Sequence, residues 1–208
     1  MKHSHDVNIH PGPLGLAFSG GADSAILLYI LLSSTQETVH AYSFLTAKKK
    51  EINEPIIERV MKKCIELTGN SNVRHHKKYI DVQTPAIIHS ALARAIEEDA
   101  LTMMYTGMTK FPPDPVTENM QGFKDDIDQY LVDQRGPNKT RPEYFSNKFY
   151  RPFINLDRQG VKKIYEAAGI EKDIFPLTRS CENTNSPLNH CGHCFWCEER
   201  RWGFGYLE

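Results

Sequence analysis

The chain has 208 residues, of which 40% are hydrophobic and 25% are charged. This is the composition of a soluble globular protein, so the disordered, collagen-like and coiled-coil classes are excluded. Twenty-five basic residues stand against 26 acidic ones, leaving a formal net charge of -1. Because there is no overall positive field, a nucleic-acid partner is not expected, and any anion must be bound by a local site.

The amino-terminal residues are polar, and the longest apolar run, residues 25–32, has only eight residues. A membrane-spanning helix needs about 20. We therefore expect a cytoplasmic protein without a membrane segment. The length suits one domain covering residues 1–208.

Short apolar runs alternate with helix-like segments between residues 14 and 110. Gly69 ends the second helix-like segment as a C-cap, and Thr84 with Pro85 starts the third. The expected strands cover 14–18, 39–46, 73–80 and 101–106, and the expected helices cover 23–33, 54–68 and a segment from Thr84 onwards. This alternation predicts an α/β fold with a doubly wound, mostly parallel, Rossmann-like sheet.

Residues 111–150 break the alternation with five prolines and a mixed, charged composition around one helix-like piece at 123–132. A connection of this length is typical of a lid, a mobile segment or an interface arm, and an arm would fit a homodimer. Regular structure returns with a predicted helix at 157–168, ended by Gly169, before a cysteine-rich tail at 178–208.

The segment that joins the first strand to the first helix has the sequence of a phosphate-binding loop. Its glycines allow left-handed backbone angles and close approach to a ligand, and the N–H groups that open the helix favour an anion. Its serines add hydroxyl donors, and Asp23 is explained by a metal ion or by ordering of the loop. The loop consists of Phe18, Ser19, Gly20, Gly21, Ala22, Asp23 and Ser24.

Two glycines alone would also be compatible with an ordinary capped turn between a strand and a helix. The longer Ser-Gly-Gly-x-Asp-Ser string is more specific, and it is neither a Walker A motif nor a Rossmann dinucleotide fingerprint. This argues against γ-phosphate transfer and against dinucleotide chemistry.

Four of the five cysteines cluster in the tail with the spacing C-x9-C-x2-C-x2-C: Cys181, Cys191, Cys194 and Cys197. Four thiolates complete the tetrahedral shell of a structural zinc ion, which is the interpretation we favour. An iron–sulfur cluster is the alternative, because three cysteines in C-x2-C-x2-C also occur in ferredoxin-like runs. Cys64 lies on an apolar helix face and is expected in the core.

The loop resembles the signature of the N-type ATP pyrophosphatases, also called PP-loop enzymes. The tail resembles one of their families, the 7-cyano-7-deazaguanine synthases. It carries Thr178-x-Ser180-Cys181 and then Cys191-Gly192-x-Cys194-x-x-Cys197-x-x-Arg200-x-x-Gly203-Phe204. Between loop and tail, Thr106-Gly107 and Pro152-Phe153-x-x-Leu156-Asp157-Arg158 are similar to segments of that family.

The resemblance implies a fold like that of the adenine nucleotide alpha hydrolases and use of ATP with Mg²⁺. The implied reaction converts 7-carboxy-7-deazaguanine and ammonia into 7-cyano-7-deazaguanine through an acyl-adenylate, with release of AMP and pyrophosphate. It also implies nucleotide binding by the loop with Thr106 and Gly107, catalytic roles for Asp23, Ser24 and Arg158, and zinc binding by the four tail cysteines.

The chain departs from that family in two stretches. Residues 108–115 replace a segment that helps to form the base pocket in relatives, and Ala47-Lys48-Lys49-Lys50 replaces another family segment. The alternative is therefore a related PP-loop ligase that stops at an amide or joins the activated acid to another amine. A third hypothesis is a nucleotide- and zinc-binding interaction module.

Overall fold

The computed structural model describes residues 7–81, 84–120, 129–183 and 190–207. Its strands are β1 (Leu14–Ala17), β2 (Val39–Leu45), β3 (Val73–Tyr79), β4 (Met103–Thr106), β5 (Tyr144–Ser146) and β6 (Phe149–Tyr150). They form one sheet in the order β3-β2-β1-β4-β6-β5. Neighbouring strands are parallel except β5 and β6, which are antiparallel.

Helices cover both faces of this sheet. They are α1 (Ala22–Ser34), α2 (Lys50–Thr68), α3 (Pro85–Glu98), α4 (Asp114–Glu118), α5 (Gln129–Arg135), α6 (Arg158–Ala168), α7 (Glu171–Ile174) and α8 (Phe195–Phe204), with a 3-10 turn at Phe175–Leu177. Leu16 of β1 packs with α1, α2 and α6 on one face. Met104 of β4 packs with Leu92 of α3 on the other. The fold is the predicted doubly wound, mostly parallel α/β sheet.

The position of β1 determines where a ligand can bind. The chain runs from β1 through β2 to β3 on one side, whereas β4 pairs with the other side of β1. The carboxyl ends of β1 and β4 therefore border the point at which the strand order reverses, which is where open parallel sheets bind their ligands. The phosphate loop follows β1 there, and Gly107 follows β4.

The predicted ends of the regular elements are largely confirmed. Gly69 and Gly169 end α2 and α6 with φ angles of 66° and 70° in the left-handed region. The side chain of Thr84 accepts a hydrogen bond at the start of α3, and that of Asp157 does so at the start of α6.

Helix α2 begins one turn earlier than predicted. Its first residue is Lys50 instead of residue 54, and Pro55 lies inside it. The upstream turn forms because the Lys49 carbonyl accepts a hydrogen bond from the Asn53 N–H at 2.8 Å.

The segment predicted as an insert contributes to the sheet. β6 pairs with β4, and Phe149 and Tyr150 of β6 are buried. Strands β5 and β6 have only three and two residues, too few for an alternating pattern to be recognised in the sequence. The predicted helix at 123–132 lies partly outside the described residues, which show α5 from Gln129 to Arg135.

Candidate active site and cysteine centre

The phosphate loop is curled by its own serines. Gly20 has a φ of 76°, which strains any residue that carries a Cβ atom, and Gly21 is the N-cap of α1. The Ser24 hydroxyl donates to the Gly21 carbonyl at 3.1 Å and accepts from the Ser19 N–H at 3.3 Å. The Ser19 hydroxyl accepts from the Gly21 N–H at 3.3 Å. The loop thus lies at the positive end of α1, where an anion is stabilised.

The end of β4 packs directly against this loop. A Cβ atom at Gly107 would lie 2.9 Å from the Asp23 carbonyl carbon, so only glycine fits without displacing the start of α1. Next to it, the buried Thr106 hydroxyl has no hydrogen-bond partner among the described residues. This close packing holds Asp23 at the carboxyl ends of β1 and β4.

Four charged side chains of alternating sign form a buried chain behind the loop. Arg158, the first residue of α6, pairs with Asp23 through Nη1 and donates from Nε to Glu199 Oε2 at 3.1 Å. Glu199 Oε1 accepts from Arg135 Nη2 at 2.6 Å. Arg135 also donates to the Thr109 carbonyl at 2.7 Å. Two carboxylates and two guanidiniums together are neutral, which allows their burial.

Burial and the neighbouring charges shift the pKa values of Arg158 and Asp23. Burial lowers the pKa of Arg158, but the carboxylates of Asp23 and Glu199 outweigh it and raise that pKa overall, so the guanidinium stays charged. Burial raises the pKa of Asp23, and the Arg158 cation opposes this shift. Arg158 is therefore the fixed positive charge against which Asp23 is held.

A cavity of about 320 Å³ opens above the phosphate loop. Its floor is the loop, one wall is Ile56 and Ile57 of α2, and the opposite wall comes from the tail. The residues of the site that line it are Phe18, Ser19, Gly21, Ala22, Asp23, Ser24, Gly107, Arg158, Arg179 and Cys181. A groove with an anion-binding floor and an apolar wall suits a nucleotide.

A second cavity of about 370 Å³ adjoins the first. The two share Asp23, Arg158 and Trp196 in their linings. Four aromatic side chains contribute to its lining, and two of them, His89 and Phe149, stack with 4.7 Å between ring centroids. The remaining lining includes Thr106, Met108, Leu131, Gln134, Arg135, Phe145 and Arg151. A molecule bound here would meet the loop at the Asp23–Arg158 pair.

The four tail cysteines converge on one point. The sulfur atoms of Cys181, Cys191, Cys194 and Cys197 all lie within 4.8 Å of one another. The Cys181 sulfur accepts from the Cys191 N–H, and the Cys191 sulfur accepts from the Cys194 N–H, each at 3.4 Å. Such N–H donors stabilise thiolates.

The separation of two of the sulfurs matches that expected around a single tetrahedral ion. With metal–sulfur bonds of about 2.3 Å, two sulfurs of a tetrahedral zinc site lie about 3.8 Å apart. The Cys191 and Cys197 sulfurs are separated by 3.8 Å. A four-iron cluster binds each thiolate to a different iron and so needs a wider arrangement of sulfurs.

The tail is anchored to the sheet domain by α8. Arg200 of α8 is 1% exposed and donates to the Phe175 carbonyl and the Thr178 hydroxyl, each at 2.8 Å. A Cβ atom at Gly203 would lie 2.2 Å from the Arg158 Cβ. Helix α8 therefore rests directly on the start of α6, which brings Glu199 to Arg158.

The predicted site residues are brought together by the fold, although their roles stay predictions. All loop residues except Gly20 line the first cavity, with Gly107, Arg158 and Cys181, while Thr106 lines the second. The Gly20 carbonyl accepts from the Arg179 N–H at 3.2 Å.

Sequence reasoning missed Glu199 and Arg135. Glu199 lies four residues from both Phe195 and Gly203, on the same face of helix α8, and this face is buried. A charged residue on the apolar face of a helix is the sequence feature that could have indicated a buried ion pair.

A scan against protein-family models and a search of curated proteins each found no match. Among solved structures, 33 chains match. One is the U34-tRNA thiolase NcsA from Methanococcus maripaludis with its 4Fe–4S cluster, at 14% identity and a TM-score of 0.48, covering 93% of this chain and 64% of that one. Another is the NMN synthetase from Francisella tularensis, at 13% identity and a TM-score of 0.39, covering 94% of this chain and 78% of that one.

The present chain thus spans less than two thirds of the length of the thiolase. Among the helices that the structure describes, none combines the length and the apolar character needed to cross a membrane.

Proposed function

We propose that the protein is an ATP-dependent ligase that cleaves ATP between the α- and β-phosphates and transfers AMP to a carboxylate. The observation that carries this proposal is the junction of the two cavities at the Asp23–Arg158 pair, directly beside the phosphate loop. One cavity suits a nucleotide and the other a flat organic acid, so the α-phosphate and a carboxylate would meet at this junction.

Each part of the site has a role in such a reaction. The N–H groups at the start of α1 bind the phosphates, and the Ser24 hydroxyl holds the loop in its curled form. Mg²⁺, bound by the phosphates and Asp23, would offset charge on the leaving pyrophosphate. Arg158 stabilises charge that develops at the α-phosphate during attack by the carboxylate. Trp196, shared by both cavities, excludes water from the adenylate.

The acid is best represented by 7-carboxy-7-deazaguanine, with ammonia as the second substrate. Its carboxylate would attack the α-phosphate, giving an acyl-adenylate and pyrophosphate. Ammonia would displace AMP to give an amide. A second ATP would activate the amide oxygen with release of pyrophosphate, and loss of AMP would leave the nitrile. The alternative is a ligase that stops after one ATP, at the amide or at a conjugate with another amine.

We propose zinc as the ion of the cysteine centre, with a structural role. Four thiolates close its shell, so no position is left for a substrate. The ion would hold Cys181 against Cys191 and Cys197, and so hold the wall of the first cavity to α8.

The test is incubation with ATP, Mg²⁺, ammonium and 7-carboxy-7-deazaguanine, followed by mass spectrometry. With ¹⁸O in the acid carboxylate, adenylation places one ¹⁸O atom in AMP. Two AMP per nitrile support the first reaction, and one AMP per amide or conjugate supports the alternative. Absence of AMP with every acid, together with tight ATP binding, would overturn the ligase proposal and favour the interaction module.

The Asp23→Asn variant should form no AMP, while Glu37→Gln, a change of the same kind at an exposed position, should keep full activity. Unchanged AMP formation by Asp23→Asn would refute the assignment of the loop.

A further inference from the structure

Two histidines and an aspartate meet beside the carboxyl end of helix α3, on the face of the sheet that this helix covers. His40 is the second residue of β2, His76 lies on the neighbouring strand β3, and Asp99 is the C-cap of α3, shortly before β4 begins. One nitrogen or oxygen atom from each residue lies within 4.8 Å of the other two. None of the three residues belongs to the cysteine centre.

The distances in this cluster are those of ligands around one ion. His40 Nδ1 and His76 Nε2 are 3.2 Å apart, and His40 Nδ1 lies 3.9 Å from Asp99 Oδ1. In a tetrahedral site with metal–nitrogen bonds of about 2.0–2.1 Å, two nitrogen ligands lie about 3.3 Å apart. Two imidazoles and a carboxylate are a ligand set that suits zinc and neighbouring transition metals.

A tyrosine orients the carboxylate. The Tyr42 hydroxyl donates to Asp99 Oδ2 at 2.5 Å, which leaves Oδ1 for the histidine side. The Tyr42 ring also stacks on His76, with 4.6 Å between ring centroids. A hydrogen-bonded partner of this kind behind a ligand raises the metal affinity of a site by orienting it.

Two cationic side chains lie near the cluster. Arg74 and Lys78 both act electrostatically on His76, so an ion here would be held less tightly than at the four thiolates.

We propose that His40 Nδ1, His76 Nε2 and Asp99 Oδ1 form a second metal site that binds a divalent transition ion, with zinc as the best fit. The ion would tie two strands to the end of α3. Three protein ligands leave a further position for water. This proposal does not rest on the proposed ligase activity.

The experiment compares two variants of adjacent histidines. His76 points to this cluster, whereas His75 faces the other side of the sheet and hydrogen-bonds to Ser43. All proteins carry His3→Gln and His5→Gln, so that these amino-terminal histidines cannot bind the ion. Zinc is added to saturation, weakly held ion is removed by gel filtration, and the metal content is measured.

The parent protein and His75→Gln should each retain one zinc more than His76→Gln or Asp99→Asn. Because the cysteine centre is the same in all four proteins, its contribution cancels. Tyr42→Phe should weaken binding at the second site about 10-fold. Nitrogen NMR should show that added zinc changes the chemical shifts of His40 Nδ1 and His76 Nε2.

Equal zinc content in His75→Gln and His76→Gln would overturn the proposal and leave a hydrogen-bonded histidine pair. If His76→Gln does not fold, as judged by circular dichroism, Asp99→Asn and the NMR shifts of the parent protein decide the question. Unchanged histidine shifts on addition of zinc would also refute the site.

Discussion

Glu199, in the helix α8 that also carries Cys197 of the cysteine centre, accepts a hydrogen bond of 3.1 Å from the same guanidinium of Arg158 that pairs with Asp23 of the phosphate loop. The cysteine-rich tail and the phosphate loop are thus linked through the side chain of Arg158. We therefore expect a change at Glu199 to affect the position of Arg158 and, through it, that of Asp23.

Glu199→Gln should destabilise the protein and lower its activity together. The substitution removes the anion between Arg158 and Arg135, and loss of one partner of a buried ion pair costs about 3–5 kcal/mol. Chemical denaturation measures this cost. The neighbouring Glu198→Gln serves as control and should change unfolding free energy far less. Equal effects of the two changes would show that Glu199 does not hold the arginines.

Removal of the proposed zinc ion should expose four thiols and leave one protected. Cys64 is buried, and burial raises its pKa to about 12, so it is a poor nucleophile at pH 8. Labelling with iodoacetamide after chelation should modify Cys181, Cys191, Cys194 and Cys197 only, and mass spectrometry counts the adducts. Labelling of all four in the untreated protein would argue against a bound ion.

Gly107→Ala should impair ATP binding beyond its effect on stability. The new methyl group would lie 2.9 Å from the Asp23 backbone and push on the start of α1. Gly69→Ala is the control for a general loss of stability. Its φ of 66° disfavours alanine, but beyond its chain neighbours no atom lies within 4 Å of the added Cβ. Calorimetric titration with ATP should show weaker binding for Gly107→Ala only, and equal affinities would contradict the packing argument.

His89→Leu should raise the KM for the acid substrate and leave the KM for ATP unchanged. His89 stacks on Phe149 in the second cavity and does not line the first. Loss of one aromatic contact with the acid costs about 0.5–1.5 kcal/mol of binding free energy, so the KM for the acid should rise about 2- to 12-fold. Steady-state kinetics with each substrate varied in turn makes the distinction. A parallel rise in the KM for ATP would mean that the second cavity is not the acid site.

The main architecture was predictable because its signals are local. Leu14 to Phe18 form a short apolar run, and the glycines after it require a turn, so β1, the phosphate loop and α1 follow from residues close in sequence. The same holds for the ends of α2 and α6, where Gly69 and Gly169 adopt the left-handed conformation.

The charge chain was not predictable in this way, because its geometry depends on long-range packing. Arg158 stands in a segment that resembles one of the synthase family, but its two carboxylate partners come from α1 and α8. Glu199 reaches it because Gly203 lets α8 approach the start of α6, a contact with no signal in either segment alone. β5 and β6 were missed for the related reason that strands of three and two residues depend on their neighbours.

The same charge chain also determines when during synthesis the site can be completed. Asp23 is separated from Arg158 by 135 residues, and Arg158 from Glu199 by 41. During synthesis the loop and its helix emerge long before the glutamate does. A growing chain therefore cannot assemble the complete network until α8 has left the ribosome, and nascent chains stalled before α8 would have the two arginines without their shared carboxylate.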